Sequence, residues 1–256
     1  MAPASSWQAK AHMNWNEIVE RVTPFVVKIE TPQGHGTGFL CLYNDSKTFL
    51  GIATAAHVVA HAEKWQEPIR LSQLQSGSSV LLKEEDRIIY LDPRMDSAVV
   101  LTPLGLKLEL PKELIPLRPI EDRLPTGTEV GWLGFPAIGP NTDTLCFFSG
   151  NISAWEGARA RYLIDGVSIN GVSGGPVLYS TPADGVQIVG AVTAYIVNRA
   201  TGEALPGLSL AQDLSHFHAV ATRIKSIDEA KKKQQAEQAA QAAQTQEANA
   251  PQAEKP

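Results

Sequence analysis

The chain has 256 residues, of which 43% are hydrophobic and 19% are charged, and its formal net charge is −5. This length suffices for one large hydrophobic core or two small ones. The acidic balance gives no electrostatic basis for binding nucleic acid or anionic lipid, and no stretch approaches the roughly 20 apolar residues of a membrane helix.

The first part of the chain predicts short strands separated by turns. A short helix is predicted at 17–22, where Asn16 can cap its start and Thr23-Pro24 ends it. The 20 glycines and 17 prolines are scattered rather than periodic, which is typical of many short strands joined by turns. Apolar runs predict strands at 25–29, 39–42, 49–53, 69–71, 80–82, 87–91 and 98–101.

The second part predicts another set of strands, a helix and a tail. Residues 105–124 are spaced by prolines, which suits an extended connection. Apolar residues recur at helical spacing over 213–226. From Ile227 to the end the composition changes to Ala, Gln, Lys and Glu, so a fraying helix or disordered tail that buries nothing is expected. The predicted strands lie at 129–133, 145–153, 161–164, 176–179, 187–196 and 207–211.

A serine between glycines is the strongest chemical signal in the chain. Residues 170–176 read Asn-Gly-Val-Ser-Gly-Gly-Pro, with the serine at Ser173. Glycines let the backbone bend tightly and leave amide N–H groups free to face a carbonyl oxygen, although the same residues also dominate ordinary turns. A nucleophilic serine needs a base and a carboxylate that holds the base.

Two other segments supply candidates for these partners. His57 follows the apolar run 49–53, where a strand should end and a short helix begin. Asp96 stands at the start of the predicted strand 98–101. The candidate residues therefore follow each other in the chain order His57, Asp96, Ser173.

Four motifs in this order resemble the chymotrypsin-fold (trypsin-like) serine proteases, and most closely their Deg/HtrA-type peptidases. They are Gly-Thr-Gly-Phe at 36–39, Thr-Ala-Ala-His-Val-Val at 54–59, Asp-Ser-Ala-Val at 96–99 and Gly-Val-Ser-Gly-Gly-Pro at 171–176. The resemblance extends over about residues 17–225. It implies an all-β fold of two six-stranded antiparallel β-barrels with a C-terminal helix.

The implied organisation has five parts. The segment 125–226 would contain the second barrel and the C-terminal helix, and no room is left for the PDZ domain that is usual in the Deg/HtrA group. The remaining parts are an N-terminal extension at 1–16, the first barrel at 17–104, the connection at 105–124 and the low-complexity tail at 227–256.

The resemblance also implies the chemistry of the site. Ser173 would attack the scissile carbonyl, His57 would act as base and then as acid, and Asp96 would orient the imidazole. The backbone N–H groups of Gly171 and Ser173 would form the oxyanion hole. Val172 stands where activated trypsin relatives have an aspartate, so no proteolytic activation step is expected.

The same comparison of positions outlines a substrate pocket. Val167, six residues before the serine, occupies the place where trypsin-specific enzymes carry an acid, so the residue before the scissile bond (P1) is expected to be small or medium and apolar. Asp165 is the one nearby acid that could reverse this expectation. The expected pocket residues are Val167, Thr193, Ala194, Tyr195 and Gly207.

A rival enzyme class shares the serine signature. In α/β-hydrolases the serine is followed by an acid and then a histidine, and Asp184 or Asp213 with His216 or His218 could supply them. That fold requires a helix after the serine, whereas residues 176–185 read as a strand and a hairpin. The α/β-hydrolase is therefore disfavoured.

No metal site or cofactor is expected. His57 and His61 are four residues apart, but the zinc-protease pattern needs a glutamate directly after the first histidine, where Val58 stands. Cys41 and Cys146 are the only cysteines, and their apolar contexts favour small buried side chains over a disulfide.

Two functions from different classes remain. The main expectation is a serine endopeptidase that acts on protein or peptide substrates and has neither nucleic acid nor membrane as a partner. The alternative is a protease-fold binding or scaffold module that holds a partner without turnover. Because the N-terminus lacks a secretory signal pattern, a cytoplasmic location is expected.

Overall fold

Two antiparallel β-sheets and three α-helices make up the described part of the chain, which in this computed structural model comprises residues 14–105, 108–138, 143–197 and 204–248. Helix α1 is Trp15–Val22, α2 is Ala56–Lys64 and α3 is Ser215–Ala248. Single 3-10 turns occur at Thr23–Phe25, Glu84–Asp86 and Gly157–Arg159.

The first sheet has seven strands in the order β5-β4-β1-β2-β3-β7-β6. All its strand pairs are antiparallel, and the two end strands β5 and β6 each pair on one side only. The strands are β1 Val26–Thr31, β2 Gly34–Tyr43, β3 Phe49–Ala55, β4 Ile69–Ser72, β5 Ser79–Leu82, β6 Ile88–Asp92 and β7 Ser97–Pro103.

This open sheet differs from the six-stranded barrel expected at 17–104. A side chain links the two end strands of the sheet, β5 and β6. The guanidinium of Arg87, which is buried just before β6, donates to the carbonyl of Leu82 at the end of β5 at 3.1 Å. It also donates to the carbonyls of Ala62 and Glu67 at 3.2 and 2.7 Å. The buried Arg87 therefore links the end of β5 to helix α2 and to the turn that follows it.

The second sheet closes into a six-stranded barrel, which confirms the prediction for that half. Its order is β10-β13-β12-β11-β8-β9, and β9 pairs with β10 to complete the ring. Trp132 fills the barrel interior and stacks on Phe148 with ring centroids 6.1 Å apart. The strands are β8 Glu129–Gly134, β9 Cys146–Glu156, β10 Arg161–Asp165, β11 Pro176–Thr181, β12 Gly185–Val197 and β13 Ala204–Gln212.

Helix α1 begins two residues earlier than predicted. Its cap is Asn14 rather than Asn16, because the side-chain oxygen of Asn14 accepts a hydrogen bond from the Glu17 amide at 3.0 Å. The indole of Trp15 donates to Glu129 on the second barrel at 2.8 Å. The helix therefore lies against the second barrel before the chain enters the first sheet.

Helix α3 packs on the first sheet and continues well beyond the predicted end at 226. Phe217 is buried and meets the ring of Phe39 edge to face at 5.8 Å. The expectation that residues from 227 bury nothing is wrong at Asp228, which is only 8% exposed. Its carboxylate accepts from the backbone amide of Asp45 at 2.8 Å and from the side chain of Asn44 at 3.4 Å. The turn of the β2–β3 hairpin therefore donates hydrogen bonds to a carboxylate on α3.

Both cysteines are free thiols. Burial raises the pKa of Cys41 to about 12, so its thiol stays protonated at neutral pH. Within the described residues, the structure contains no helix of the length and apolar character that a membrane crossing requires.

Candidate active site

The histidine and the aspartate meet where two strands of the first sheet end. Strand β3 ends at Ala55, and His57 lies in the first turn of α2. Asp96 directly precedes β7, which pairs with β3. Its carboxylate contacts His57 twice, with Oδ2 2.8 Å from the ring Nδ1 and Oδ1 3.0 Å from the backbone N. The backbone carbonyl of Asp96 also accepts from the Ala56 amide at 3.0 Å.

These contacts determine which ring nitrogen of the neutral imidazole carries the hydrogen. A carboxylate only accepts hydrogen bonds, so the neutral ring of His57 carries its hydrogen on Nδ1 and leaves Nε2 as a proton acceptor. The side chain of His57 is 51% exposed and that of Asp96 34%, so the pair is open to solvent and to substrate.

A tight turn places Asp96 in this position. The side chain of Asp92 accepts from the backbone amides of Arg94 and Met95 at 3.0 and 3.2 Å. This contact folds the chain back before β7. Asp96 itself has φ 47°, in the left-handed region that aspartate tolerates better than most residues. The strained backbone thereby directs the carboxylate toward α2.

The serine lies on a glycine-rich loop between β10 and β11. Gly174 has φ 86°, and a Cβ atom at this position would overlap the carbonyl of Thr37 and the hydroxyl of Thr54. Only glycine therefore lets the loop approach the first sheet this closely. The hydroxyl of Ser173 donates to the carbonyl of Thr193 at 3.4 Å, and among the described residues it makes no hydrogen bond to His57.

Two backbone N–H groups of the loop, those of Gly171 and Ser173, have no acceptor among the described residues. The carbonyl of Asn170 accepts from the Ala137 amide at 2.7 Å, and the carbonyl of Val172 accepts from the amide three residues later at 2.9 Å. Because the C=O and N–H of one peptide plane point in opposite directions, the following N–H groups of Gly171 and Ser173 point away from these contacts. Neither N–H donates to a residue in the described part of the chain. Two backbone donors without a protein partner are what an oxyanion hole requires.

The predicted pocket strand lies beside the serine. Thr193 is buried on β12, and its carbonyl is the acceptor of the Ser173 hydroxyl. Ala194 and Tyr195 follow it and are partly exposed. The structure therefore brings this predicted strand segment next to the candidate nucleophile.

The other predicted pocket residues, Val167 and Gly207, lie on two neighbouring segments. The side chain of Val167 is 47% exposed. Gly207 has φ 80°, and its carbonyl accepts from the Gly166 amide at 2.7 Å. A Cβ atom at Gly207 would lie 3.8 Å from Oδ1 of Asp165. The exposed carboxylate of Asp165 thus faces the predicted wall of the pocket.

A polar cavity of ≈ 400 Å³ lies beside strands β1, β4 and β5, lined in part by Lys28, Arg70 and Phe135. The buried ammonium of Lys28 is 2.6 Å from Asp143 and 3.0 Å from Glu30. Burial lowers the pKa of Lys28, but its hydrogen bonds to the two carboxylates outweigh burial and leave it raised. The hydrogen bond from Lys28 lowers the pKa of Asp143.

Three further histidines in the described part of the chain have hydrogen-bond partners of their own. Nδ1 of His61 contacts Glu67 at 2.8 Å. On α3, Nε2 of His216 contacts the carbonyl of Tyr90, and Nε2 of His218 contacts that of Arg118. The segment after Ser173 forms strand β11 rather than a helix, which agrees with the exclusion of the α/β-hydrolase fold.

Three residues of the site were not assigned a role from the sequence. Thr54 donates to the carbonyl of Thr37 at 2.7 Å. Nε2 of His35 is 3.0 Å from the carbonyl of Phe135. Thr37 and Thr54 belong to the motifs at 36–39 and 54–59, which were recognised by resemblance. The sequence offered no signal for their partners, because those partners lie in distant segments.

Comparisons with known proteins identify the family and the fold. Residues 36–185 match the family model of the trypsin-like peptidase domain. Two solved structures of the protease Rv3671c from M. tuberculosis H37Rv, both in an inactive form, are each 19% identical to this chain. The serine-to-alanine mutant has a TM-score of 0.55, and the match covers 84% of this chain and 94% of the mutant chain. The second structure has a TM-score of 0.57, and the match covers 85% of this chain and 97% of that one. Such low identity shows the fold alone.

No curated protein matches the chain. The family model, however, covers more than half of the 256 residues and includes all three candidate residues. The chain therefore belongs to the trypsin-like peptidase domain family, the serine proteases of chymotrypsin-type fold.

Proposed function

We propose that this protein is a serine endopeptidase that cleaves peptide bonds through an acyl-enzyme intermediate. The observation that carries the proposal is the double contact of the Asp96 carboxylate with the ring and the backbone of His57, at 2.8 and 3.0 Å. This contact holds the imidazole in the tautomer that accepts a proton on Nε2. A serine becomes a nucleophile when an adjacent histidine, oriented by an acid, can accept its proton.

In the proposed reaction, Nε2 of His57 takes the hydroxyl proton of Ser173 while Oγ bonds to the scissile carbonyl carbon. The carbonyl oxygen becomes negative and accepts hydrogen bonds from the N–H groups of Gly171 and Ser173. The C–N bond then breaks, and His57 returns the proton to the leaving amine. Water repeats the same steps to release the acyl group.

Ser173 must first turn its hydroxyl from Thr193 toward His57. The present hydrogen bond is 3.4 Å long and uncharged. Such a bond contributes at most about 1 kcal/mol, so a rotation about the Cα–Cβ bond of Ser173 is inexpensive. Substrate entering beside β12 would compete for the same Thr193 carbonyl.

We also propose a small or medium apolar P1 residue. Val167 supplies no carboxylate to the pocket, and burial of an unpaired guanidinium or ammonium costs several kcal/mol. Asp165 lies near Gly207 but is exposed to water, where its charge is screened. The apolar side chain of Val167 therefore decides the preference.

A fluorophosphonate probe tests the proposal, because it reacts with an activated serine only. The wild-type protein should be labelled, and Ser173→Ala should not. Ser180→Ala is a matched control, since Ser180 lies at the other end of β11 and should leave labelling unchanged. Labelling that persists in Ser173→Ala would assign the nucleophile to another residue.

The binding or scaffold module is the second candidate, and the orientation of Ser173 toward Thr193 favours it. A wild-type protein that folds, resists the probe and cleaves no peptide from a random peptide library would support this candidate over the endopeptidase.

A further inference from the structure

Thr37 uses its backbone to join the histidine strand to the serine loop. It lies on β2 and is fully buried. Its N–H donates to the carbonyl of Ser173 at 2.8 Å, and its carbonyl accepts from the hydroxyl of Thr54 at 2.7 Å. Thr54 lies on β3, three residues before His57. Thr37 is thus hydrogen-bonded both to the strand that leads to the candidate base, His57, and to the candidate nucleophile, Ser173.

The side chain of Thr37 reaches two further segments of the second barrel. Its hydroxyl donates to the carbonyl of Gly171 at 2.8 Å and accepts from the amide of Phe135 at 2.9 Å. A hydroxyl has a single hydrogen, so this donor is fully used by Gly171. One buried oxygen therefore connects the first sheet to the serine loop and to the end of β8.

These contacts fix the peptide planes on both sides of Gly171. The carbonyl of Gly171 is held by Thr37, and the preceding carbonyl, that of Asn170, is held by the Ala137 amide at 2.7 Å. Ala137 follows Phe135 by two residues, and both polar backbone groups of Phe135 are held, by Thr37 and by His35. The Gly171 N–H shares its peptide plane with the Asn170 carbonyl, which Ala137 holds directly. Thr37 on the first sheet holds the following plane, and through Phe135 it also holds the segment that carries Ala137.

We propose that Thr37 is a positioning residue that aligns the oxyanion-binding amide of Gly171 with His57. This proposal rests on the proposed peptidase function. The first sheet carries the base, whereas the second barrel carries the nucleophile and the oxyanion donors. The hydroxyl of Thr37 holds the oxyanion donors at a fixed place relative to the base. Without this hydroxyl, the peptide planes on either side of Gly171 are free to turn.

Thr37→Val removes the hydroxyl and keeps the shape of the side chain, and Thr37→Ser retains the hydroxyl. Thr102→Val is the matched control, because Thr102 is equally buried in the same sheet and its hydroxyl donates to the carbonyl of Asp86 at 3.2 Å. We expect Thr37→Val to lower kcat by about 100-fold with little change in KM, because a small misplacement of catalytic groups costs this much. Thr37→Ser should restore most of kcat, and Thr102→Val should retain it.

Amide hydrogen exchange gives a readout that needs no activity. A peptide covering residues 170–175 should exchange faster in Thr37→Val than in the wild type, and Thr102→Val should leave this exchange unchanged. If Thr37→Val does not fold, Thr37→Cys replaces it, since its weak S–H donor should give an intermediate kcat and exchange rate.

Equal kcat and equal exchange in Thr37→Val and Thr102→Val would overturn the positioning role. If the wild-type protein has no peptidase activity, the proposed function fails, and the exchange rates alone then decide whether Thr37 orders the loop.

Discussion

The contact between α3 and the β2–β3 hairpin predicts the stability of shortened and substituted chains. Asp228 is 8% exposed and accepts a hydrogen bond from the Asp45 amide at 2.8 Å and a longer one from Asn44. A hydrogen bond to a charged group contributes about 1.5–3 kcal/mol. Because Asp45 is at the surface and water can replace the lost acceptor, we expect Asp228→Ala to cost about 1.5 kcal/mol, the lower end of this range.

For a chain of this size the loss corresponds to a decrease in Tm of about 3–6 °C. Thermal unfolding followed by circular dichroism measures it. A truncation after Ser226 should decrease Tm at least as much as Asp228→Ala does. A truncation after Lys233 keeps Asp228 and its neighbour Lys232, which pairs with Asp45 at 2.7 Å, and should retain the wild-type Tm. The reasoning is refuted if the truncation after Ser226 unfolds at the same temperature as the truncation after Lys233.

Three further predictions concern the site and its surroundings. Asp96→Asn should lower kcat by about 10⁴-fold with unchanged Tm, because His57 would then be held in the tautomer that cannot accept the serine proton, and retention of most activity would assign the orienting role to another acid. Matched peptides with Val or Arg at P1 should differ in kcat/KM in favour of Val, and a preference for Arg would show that Asp165 rather than Val167 controls the pocket. Asp143→Asn should be less stable than the wild type at neutral pH. Because Lys28 lowers the pKa of Asp143, this difference should disappear as the pH falls through the folded-state pKa of Asp143. Denaturant unfolding between neutral and acidic pH would measure it. A difference that persists in acid would contradict the ion-pair explanation.

The strands and the candidate residues could be predicted because their signals are local. Apolar runs bounded by turns predicted the strands of both sheets to within three residues, except that β2 begins at Gly34, five residues before its predicted start, because the glycines at 34–38 look like a turn in the sequence. The turn before Asp96 and the glycines around Ser173 are also short-range features, since each depends on backbone angles within one segment. The four motifs around positions 36–39, His57, Asp96 and Ser173, in this chain order, then sufficed to recognise the family.

Closure of the sheets could not be predicted in the same way. The second barrel closes because β9 and β10, joined by a short turn, pair along their length. In the first sheet the end strands β5 and β6 do not pair with each other, and the buried guanidinium of Arg87 links them instead through the carbonyl of Leu82. An arginine before a strand looks like an ordinary polar residue in the sequence, so only its burial reveals this role.

The sequence by itself determined the chemical groups of the site and the strands that carry them, because these depend on residue type and on neighbours along the chain. The tertiary structure alone decided how the groups are held together. Thr37 and Gly171 are 134 residues apart, and Asp45 and Asp228 are 183 apart. Hydrogen bonds across such separations leave no periodic pattern in the chain, since they form only when two distant segments are packed side by side.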